Sequence, residues 1–369
     1  MVIRGLTNHL RFSHDHLVVC MVKKPYIKVK LHKALFSVIL SIIITGTCAC
    51  GSSNEETVSP TATALPSAST ESTQTPASSD APAKNASVLP PSGEKGSRDN
   101  TPVCLVPVAS GTNVLENEFA KVDASNLSDG YIIVKYTGSS DKVKLQITGP
   151  SGITYTYNLS TTQQVEEVFP LQSGNGEYMV NVFENIEGTQ YSLVFTEPIQ
   201  VNITDEFSPF LYPNQYVDFT SASIAVEQAK NLAYICNSDL DVVSEIYNFM
   251  ITNITYDHEE AETVQSGYIP DVDEVLSTRK GICLDYAALM TTMLRCQRIP
   301  TRMEIGYAGT AYHAWLSTYI TDVGWVNGII EFDGKNWKLM DPTFASNVKE
   351  ETLKDFIGDG SNYSVKYIY

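Results

Sequence analysis

The sequence predicts an α+β protein, and three observations support this prediction. Short runs of alternating apolar and polar residues, separated by glycine and proline turns, fill residues 102–200 and are typical of antiparallel strands. Apolar residues at helical spacing begin near Ser223 and recur as far as Pro300. Strand-like runs then return, first as "YHAWLSTYI" at residues 312–320. Blocks of strands and helices, rather than strict alternation, indicate an α+β organisation.

The first fifty residues are interpreted as an export signal and are excluded from the fold. Five lysines precede an apolar run at residues 34–44, which is too short for a comfortable membrane span. The following "TGTCACGSS" resembles the lipobox of bacterial lipoproteins, which implies lipidation of Cys50. Two alternatives stay open, namely lipidation of Cys48 and ordinary secretory cleavage after Ala49. The lipoprotein interpretation implies an extracytoplasmic protein that a lipid anchors to the cell membrane.

The charge balance of the exported part excludes one class of partner. The whole chain has a formal charge of −17, but the first 49 residues carry seven Lys or Arg and one acid, Asp15. Removing these six net positive charges leaves −23. Since no basic surface remains to neutralise phosphates, we expect no nucleic-acid partner.

Residues 51–101 and 102–200 differ sharply in composition. The first segment is rich in Ser, Thr, Pro and Ala, and contains too few bulky apolar side chains to offset the entropy of ordering. We therefore expect a disordered linker at 51–101. The second segment contains five strand-like runs, beginning with "YIIVKYTG" and ending with "YSLVFTE", at the spacing of a small β-sandwich. Its tyrosines are interpreted as packing residues of that sandwich.

Residues 201–369 contain the candidate chemistry. After two amphipathic helical runs, "GICLDYAALMTTMLRCQRIP" predicts a helix that is apolar over most of its circumference, and is therefore buried, with Cys283 in its first turn. Unpaired N–H groups at a helix N-terminus favour a thiolate, and Gly281 allows a sharp bend just before it. An unpaired cysteine is equally typical of a buried core position. The helix alone leaves both interpretations open.

The number and placement of the histidines favour the interpretation of Cys283 as a nucleophile over that of a buried core residue. Four of the six lie in the part removed on export, so only His258 and His313 remain. His313 lies in a strand-like run, whereas His258 lies in the polar "DHEEAE", which is interpreted as an exposed loop. The chain then continues through a predicted hairpin turn at Asp333-Gly334 into "NWKLM", which ends at Asp341. Strand pairing could bring Asp341 beside His313, where a carboxylate would orient the imidazole.

Cys283 in "TRKGICLDYAALM", His313 in "YHAWL" and Asp341 in "LMDPTF" together resemble the three catalytic segments of the transglutaminase-like superfamily, whose core is related to papain. The resemblance covers roughly residues 209–345. It implies a papain-like α+β core at 201–369, with Cys283 as nucleophile, His313 as general base and acid, and Asp341 as the orienting carboxylate. It also implies acyl transfer from a peptide or protein amide through a thioester, which water or an amine resolves.

The resemblance leaves several features of the reaction open. The backbone N–H of Cys283 is the first expected oxyanion donor, and Tyr256 and Gln215 are weaker candidates for a second. We expect no metal, because no aspartate-rich loop has the ligand spacing of a calcium site. We also expect no cofactor. Animal members cross-link glutamine to lysine, and many microbial relatives are thought to be peptidases. A cell-wall peptide or a surface protein would be a suitable substrate.

Two alternatives to this interpretation, and one open question about the cysteines, remain. The domain could be a catalytically idle module that binds or scaffolds other surface proteins. Cys283, His313 and Asp341 could instead hold zinc, although no second cysteine or histidine lies at ligand spacing. Finally, Cys104, Cys236 and Cys296 form an odd set of which one pair could join as a disulfide in an exported protein.

Overall fold

A computed structural model describes residues 88–162, 165–321, 323–327, 330–332, 337–339 and 363–369. Cys50 and Asp341 therefore lie outside the described residues. The strands and helices follow in chain order: β1 Val114–Glu116, β2 Ala120–Asp123, β3 Tyr131–Tyr136, β4 Val143–Thr148, β5 Thr154–Leu159, β6 Glu166–Pro170, β7 Gly176–Glu187, β8 Gln190–Val201, α1 Ile224–Leu232, α2 Asp239–Asn253, β9 Thr255–Tyr256, α3 His258–Thr263, α4 Val272–Thr278, β10 Lys280–Gly281, α5 Cys283–Arg295, β11 Thr301–Ala308, β12 Ala311–Ile320, β13 Gly324–Asn327, β14 Ile330–Phe332, β15 Trp337–Leu339 and β16 Tyr363–Ile368.

Strands β1–β8 build two antiparallel sheets, with strand orders β1-β2-β3-β6 and β5-β4-β7-β8. Alternation determines which side chains face inward: along β4 every second residue is buried. The ring centroids of Tyr157 on β5 and Phe169 on β6 lie 4.7 Å apart, so the two sheets meet through an aromatic contact. The predicted strand-rich region is confirmed, and its buried tyrosines are packing residues.

The segment before the sandwich corrects the predicted extent of the linker. Residues 88–101, expected to be disordered, run along the second domain and bond to it. Arg98 donates to a side-chain oxygen of Asp239 (2.7 Å), and its guanidinium also reaches Gln297. The backbone N–H of Val103 donates to the carbonyl of Cys296 (2.8 Å). The polar composition of this segment does not prevent order, because the groups that satisfy its backbone lie on another part of the chain.

Helix α5 is the centre of the second domain. It packs against β11 and β12 on one side and against α1, α2 and α4 on the other. Every residue from Asp285 to Arg295 is buried, as the predicted all-round apolar helix requires. Side chains such as Leu289, Met290 and Leu294 each contribute roughly 1.5–3 kcal/mol of burial energy. This burial fixes the helix, and with it the position of its first residue, Cys283.

A four-stranded sheet of order β13-β12-β11-β16 lies against α5, and each of its pairs is antiparallel. Strands β14 and β15 pair antiparallel in a sheet of their own, with Phe332 opposite Trp337, so the predicted strands on either side of Asp333-Gly334 are confirmed as a pair. The described elements are the mixed helices and strands that the sequence predicts. Within the described ranges, no helix is both long and apolar enough to cross a membrane.

Arg295, at the carboxyl end of α5, is among the fully buried side chains. Its guanidinium donates to the carbonyl oxygens of Thr301 (3.0 and 2.8 Å), Tyr212 (2.6 Å) and Tyr369 (2.8 Å). Burial lowers the pKa of this guanidinium to about 9. The arginine thus joins α5, the start of β11, the carboxyl-terminal strand region and the loop before α1.

Candidate active site

Cys283 is the first residue of α5 and is half-buried. The residue before it, Ile282, is extended, with φ −91° and ψ 179°, so the chain enters the helix through a sharp change of direction. The first N–H groups of a helix have no partner within the helix, because no residue precedes them at the required spacing. The structure thus places Cys283 in the first turn of a buried helix, as the sequence predicts.

His313 lies on β12, directly opposite Gly306 of β11, and only 6% of its surface is exposed. Its ring stacks near the indole of Trp315, with ring centroids 6.2 Å apart and planes 24° from parallel. The Trp315 indole N–H donates to the Glu304 carboxyl (2.7 Å), whose pKa burial raises. A Cβ on Gly306 would overlap the carbonyl oxygen of Ser364 on β16. The glycine thus allows β16 to lie close alongside β11 at the register of His313.

Cys283 and His313 line one cavity of about 480 Å³. Four tyrosines belong to its wall: Tyr216, Tyr256, Tyr268 and Tyr312. Partial burial raises the pKa of the Tyr312 phenol, and neighbouring tyrosines and Cys283 add smaller contributions in the same direction. The wall also includes five consecutive residues, 264–268, from the loop after α3, which we call the cavity loop. The site is therefore an aromatic cleft with a thiol and an imidazole in its wall.

The two candidates for a second oxyanion donor separate in the structure. Tyr256 lies on β9 and belongs to the wall of the Cys283 cavity. Gln215 belongs to a different cavity of about 390 Å³, which also contains Glu167 of the sandwich. The Gln215 amide donates to the Asn158 carbonyl and to the Glu167 carboxyl, both at 2.8 Å. Gln215 joins the two domains rather than facing the thiol, so its assignment to the oxyanion site is wrong.

His258 does not lie in a loop, as the sequence suggested. It begins the short helix α3, where the Asp257 carboxylate caps the helix by accepting the N–H of Glu260 (3.0 Å). Its side chain is exposed, and its ring lies 5.0 Å from that of Tyr256. The prediction failed because a six-residue helix is too short to show a period, although the Asp cap was a readable signal.

The sequence analysis missed two residues beside the thiol, Asp285 and Tyr268. The Asp285 carboxylate accepts the Ile282 backbone N–H (2.8 Å) and the Tyr268 hydroxyl (2.9 Å). An acid three residues after an N-cap is a known capping signal, and the spacing of Ile282 and Asp285 fits it. No local sequence pattern indicated Tyr268, which lies 17 residues before Asp285 in the chain and bonds to it.

The other described cysteines are free thiols, so no disulfide joins Cys104, Cys236 and Cys296 in this structure. Burial raises the pKa of all three, to about 12 for Cys236. A thiol with a raised pKa is a weak nucleophile at neutral pH, because little thiolate is present. Cys104 is half-buried like Cys283, which makes it an internal reference for thiol reactivity.

Residues 227–328, which include α5 and the sheet bearing His313, match the family model described as the transglutaminase-like superfamily. The chain contains a transglutaminase-like domain. The matched region includes Cys283 and His313 and ends before Asp341. This match supports a cysteine-based enzyme in general terms.

Similar proteins extend this finding only in part. The UPF0252 protein MJ1282 of Methanocaldococcus jannaschii is 28% identical over an alignment of 145 positions that covers 34% of this chain and 40% of that protein. The chain thus spans well under half the length of this curated relative.

Three solved structures also share features with the chain. A candidate cysteine protease of Cytophaga hutchinsonii is 18% identical, covers 63% of this chain and 69% of its own, and has a TM-score of 0.29. Red sea bream transglutaminase is 14% identical, with coverage of 58% and 48% and a TM-score of 0.23. A candidate protease of Parabacteroides distasonis is 12% identical, with coverage of 55% and 60% and a TM-score of 0.25. TM-scores of this size leave the fold assignment to the chain's own elements and to the family match.

Proposed function

We propose that the protein is a cysteine acyl-transfer enzyme that acts on amides of peptides or proteins. The observation that carries this proposal is the shared cavity, in which the thiol at the start of a buried helix and the imidazole of a neighbouring strand form one wall. Cys283 is the nucleophile and His313 is the general base and acid. Asp341 orients His313 by accepting a hydrogen bond from the imidazole nitrogen that does not face the Cys283 thiol.

The reaction has two halves. His313 takes the proton of the Cys283 thiol, the sulfur attacks the amide carbonyl, and a C–S bond forms. The C–N bond then breaks while His313 returns the proton to the departing amine, which leaves a thioester. In the second half, His313 takes a proton from water or another amine as that molecule attacks the thioester carbonyl and forms a C–O or C–N bond. The C–S bond then breaks, and His313 returns the proton to the Cys283 sulfur.

The negative oxygen of each tetrahedral intermediate needs hydrogen-bond donors. The backbone N–H of Cys283 is the first, because it belongs to the unpaired N–H groups that begin α5. We assign the Tyr256 hydroxyl as the second candidate, since this tyrosine shares the cavity wall with the thiol. Replacement of Tyr256 by phenylalanine should lower kcat by about 10²-fold or more if the hydroxyl donates to the oxyanion, in line with the loss of a single such donor in other enzymes.

The choice between hydrolysis and transamidation can be read from one incubation. The exported part of the chain is incubated with a glutamine-bearing protein mixture and a labelled primary amine, beside a Cys283→Ala variant. Incorporation of the label that requires Cys283 identifies a transamidase, whereas new peptide termini without incorporation identify a peptidase. If neither product depends on Cys283, the proposed acyl transfer is wrong.

We further propose that the protein is exported and held outside the cytoplasm by a lipid on Cys50. The support is the lysine-rich segment, the short apolar run and the small residues before this cysteine. Such a protein would meet cell-wall or surface polypeptides. Labelled palmitate should enter the chain in a globomycin-sensitive manner, and a Cys50→Ala variant should lose the label while Cys48→Ala keeps it. A freely released, unlabelled chain would exclude the anchor.

A further inference from the structure

Asp285 is a buried carboxylate in the first turn of α5, two residues after the thiol. None of its surface is exposed, and burial raises its pKa to about 6, with Glu260 and Glu274 acting in the same direction. A buried carboxylate is costly unless hydrogen bonds compensate for the lost water. Those bonds come from the Ile282 backbone and from the Tyr268 hydroxyl, one on each oxygen. The two bonds tie different parts of the cavity to the same helix.

The first bond fixes the turn that presents Cys283. Because Asp285 accepts the N–H of Ile282, the chain before the thiol is held to the helix that begins with it. Gly281 is part of the same turn: a Cβ there would lie 2.6 Å from the Cβ of Asp285. Residues 281–285 therefore form one tight unit, in which the glycine makes room for the aspartate and the aspartate holds the backbone next to the sulfur.

The second bond fixes the cavity loop. Tyr268 ends this loop, and its hydroxyl donates to the Asp285 carboxylate across 2.9 Å. On the other side, Gly267 has φ +91° and touches Asn158 of β5, since a Cβ at Gly267 would overlap the Asn158 side-chain nitrogen. The loop thus lies against the sandwich on one side and is bonded to α5 on the other. All five of its residues belong to the wall beside Cys283 and His313.

We propose that Asp285 and Tyr268 are positioning residues of the Cys283 site: the carboxylate holds the turn that presents the thiol, and the phenol fastens the cavity loop beside it. For its catalytic consequence this inference rests on the proposed function. For its geometry it does not, since the bonds exist whether or not Cys283 is a nucleophile. The sandwich takes part because its β5 supports the other side of the loop.

The test uses Tyr268→Phe, which removes one hydroxyl and keeps the ring. The matched control is Tyr286→Phe, because the Tyr286 hydroxyl also makes a buried bond from α5, to the Ile254 carbonyl (2.7 Å), and Tyr286 is not part of the cavity loop. Hydrogen exchange of the backbone amides at 264–268 is compared in the folded, exported part of the chain. A hydrogen bond to a charged group corresponds to about a 10- to 100-fold change in opening. We expect the amides at 264–268 to exchange about 10- to 100-fold faster in Tyr268→Phe than in the wild type. In Tyr286→Phe their exchange rate should equal that of the wild type.

A second readout addresses the site itself. Alkylation of Cys283 by iodoacetamide, which is small enough for the cavity, is compared with alkylation by a bulky maleimide, and Cys104 serves as the reference thiol. Tyr268→Phe should accelerate the bulky reagent about tenfold or more and leave iodoacetamide nearly unchanged. Asp285→Asn should behave like the wild type, because an amide can accept from the Ile282 N–H and donate to the Tyr268 oxygen.

Equal exchange at 264–268 in wild type and Tyr268→Phe, or equal acceleration of both reagents, would overturn the inference. Faster exchange in Tyr286→Phe as well would also overturn it, because the effect would then reflect general loss of stability. Neither readout requires an activated thiol. A failure of the proposed enzyme would instead appear as a Cys283 that alkylates no faster than Cys104, with the exchange results unaffected.

Discussion

The sandwich and the transglutaminase-like domain bury their polar groups very differently. Among the described residues, the buried polar or charged residues of the sandwich strands consist of Asp123, whereas those of the second domain include Asp285, Arg295, Glu304 and His313. In the sandwich strands, alternate residues face the core and are mostly apolar, so the burial of charged groups costs the fold little stability. The second domain accumulates polar groups whose burial is costly, and they lie on α5, β11 and β12, the elements that carry the candidate site. This contrast singles out the same elements as the candidate site without any reference to a motif.

The largest expected effect tests the role of the imidazole. His313→Ala should lower the rate of amide turnover about 10²- to 10⁴-fold, the usual contribution of a positioned acid and base. His258→Ala is the matched control, because it removes the other histidine of residues 51–369, which is exposed on α3, and it should leave the rate within about twofold. Turnover is measured with whichever labelled substrate the Cys283-dependent assay identifies. Equal losses in both variants would contradict the assignment of His313.

The next effect concerns the stability of the second domain. Arg295→Met removes the donors that satisfy three backbone carbonyls, two of them buried, and methionine offers none in return. We expect the free energy of unfolding to fall by about 3–5 kcal/mol, as when one partner of a buried charged interaction is lost. In the sandwich, Leu145→Met conserves volume at a fully buried apolar position and should cost less than about 1.5 kcal/mol. Urea unfolding of both variants measures the difference, and a smaller cost for Arg295→Met would break the contrast.

Asp285 gives the second domain a distinctive pH dependence. Its pKa in the folded protein is about 6, above the unfolded value near 3.9, so its contribution to stability is full below pH 4 and is lost as the pH rises through 6. The loss corresponds to ~3 kcal/mol. Asp285→Asn cannot titrate. The free energy of unfolding of the wild type should therefore fall relative to this variant between pH 4 and pH 7, and a constant difference across that range would refute the shift.

Asp123 in the sandwich should give a pH dependence of stability that is opposite in sign to that of Asp285 and smaller in size. Burial alone would raise its pKa, but hydrogen bonds from Ser125 and Gly111 outweigh that cost and lower it. The stabilisation is therefore present at neutral pH and is lost as the pH falls below about 4. Relative to Asp123→Asn, the wild type should lose stability in acid. A gain in acid would mean that the two buried carboxylates do not differ as described.

The periodic parts of this protein could be predicted from the sequence. Strands such as β3 and β4 and the buried helix α5 follow from alternation and helical spacing, because one face or the whole surface of each is apolar. The placement of Cys283 at the start of α5 follows from the same spacing. The strand that bears His313 was likewise readable, and both residues meet in one cavity.

The parts that escaped prediction depend on contacts between distant residues. Hydrogen bonds join Tyr268 to Asp285 and Arg98 to Asp239. Gln215 likewise bonds to the sandwich residue Glu167. None of these pairings leaves a local pattern in the sequence. Helix α3 is too short to show a period. The role of Asp341 stays a prediction, since this residue lies outside the described residues.

The reactivity of Cys283 tests the central proposal most directly. A protein comprising residues 51–369 is treated with iodoacetamide at mildly acidic pH, and the alkylation rates of Cys283 and Cys104 are read from the same sample by peptide mass spectrometry. Both thiols are half-buried, so access alone does not favour either. Because burial also raises the pKa of Cys104, the decisive comparison is the rate of Cys283 in the wild type against its rate in His313→Ala. The proposal predicts that Cys283 reacts at least about tenfold faster, as expected for an activated thiolate, and that His313→Ala removes this advantage. Equal rates in the wild type, unchanged in His313→Ala, would contradict a Cys283–His313 catalytic pair.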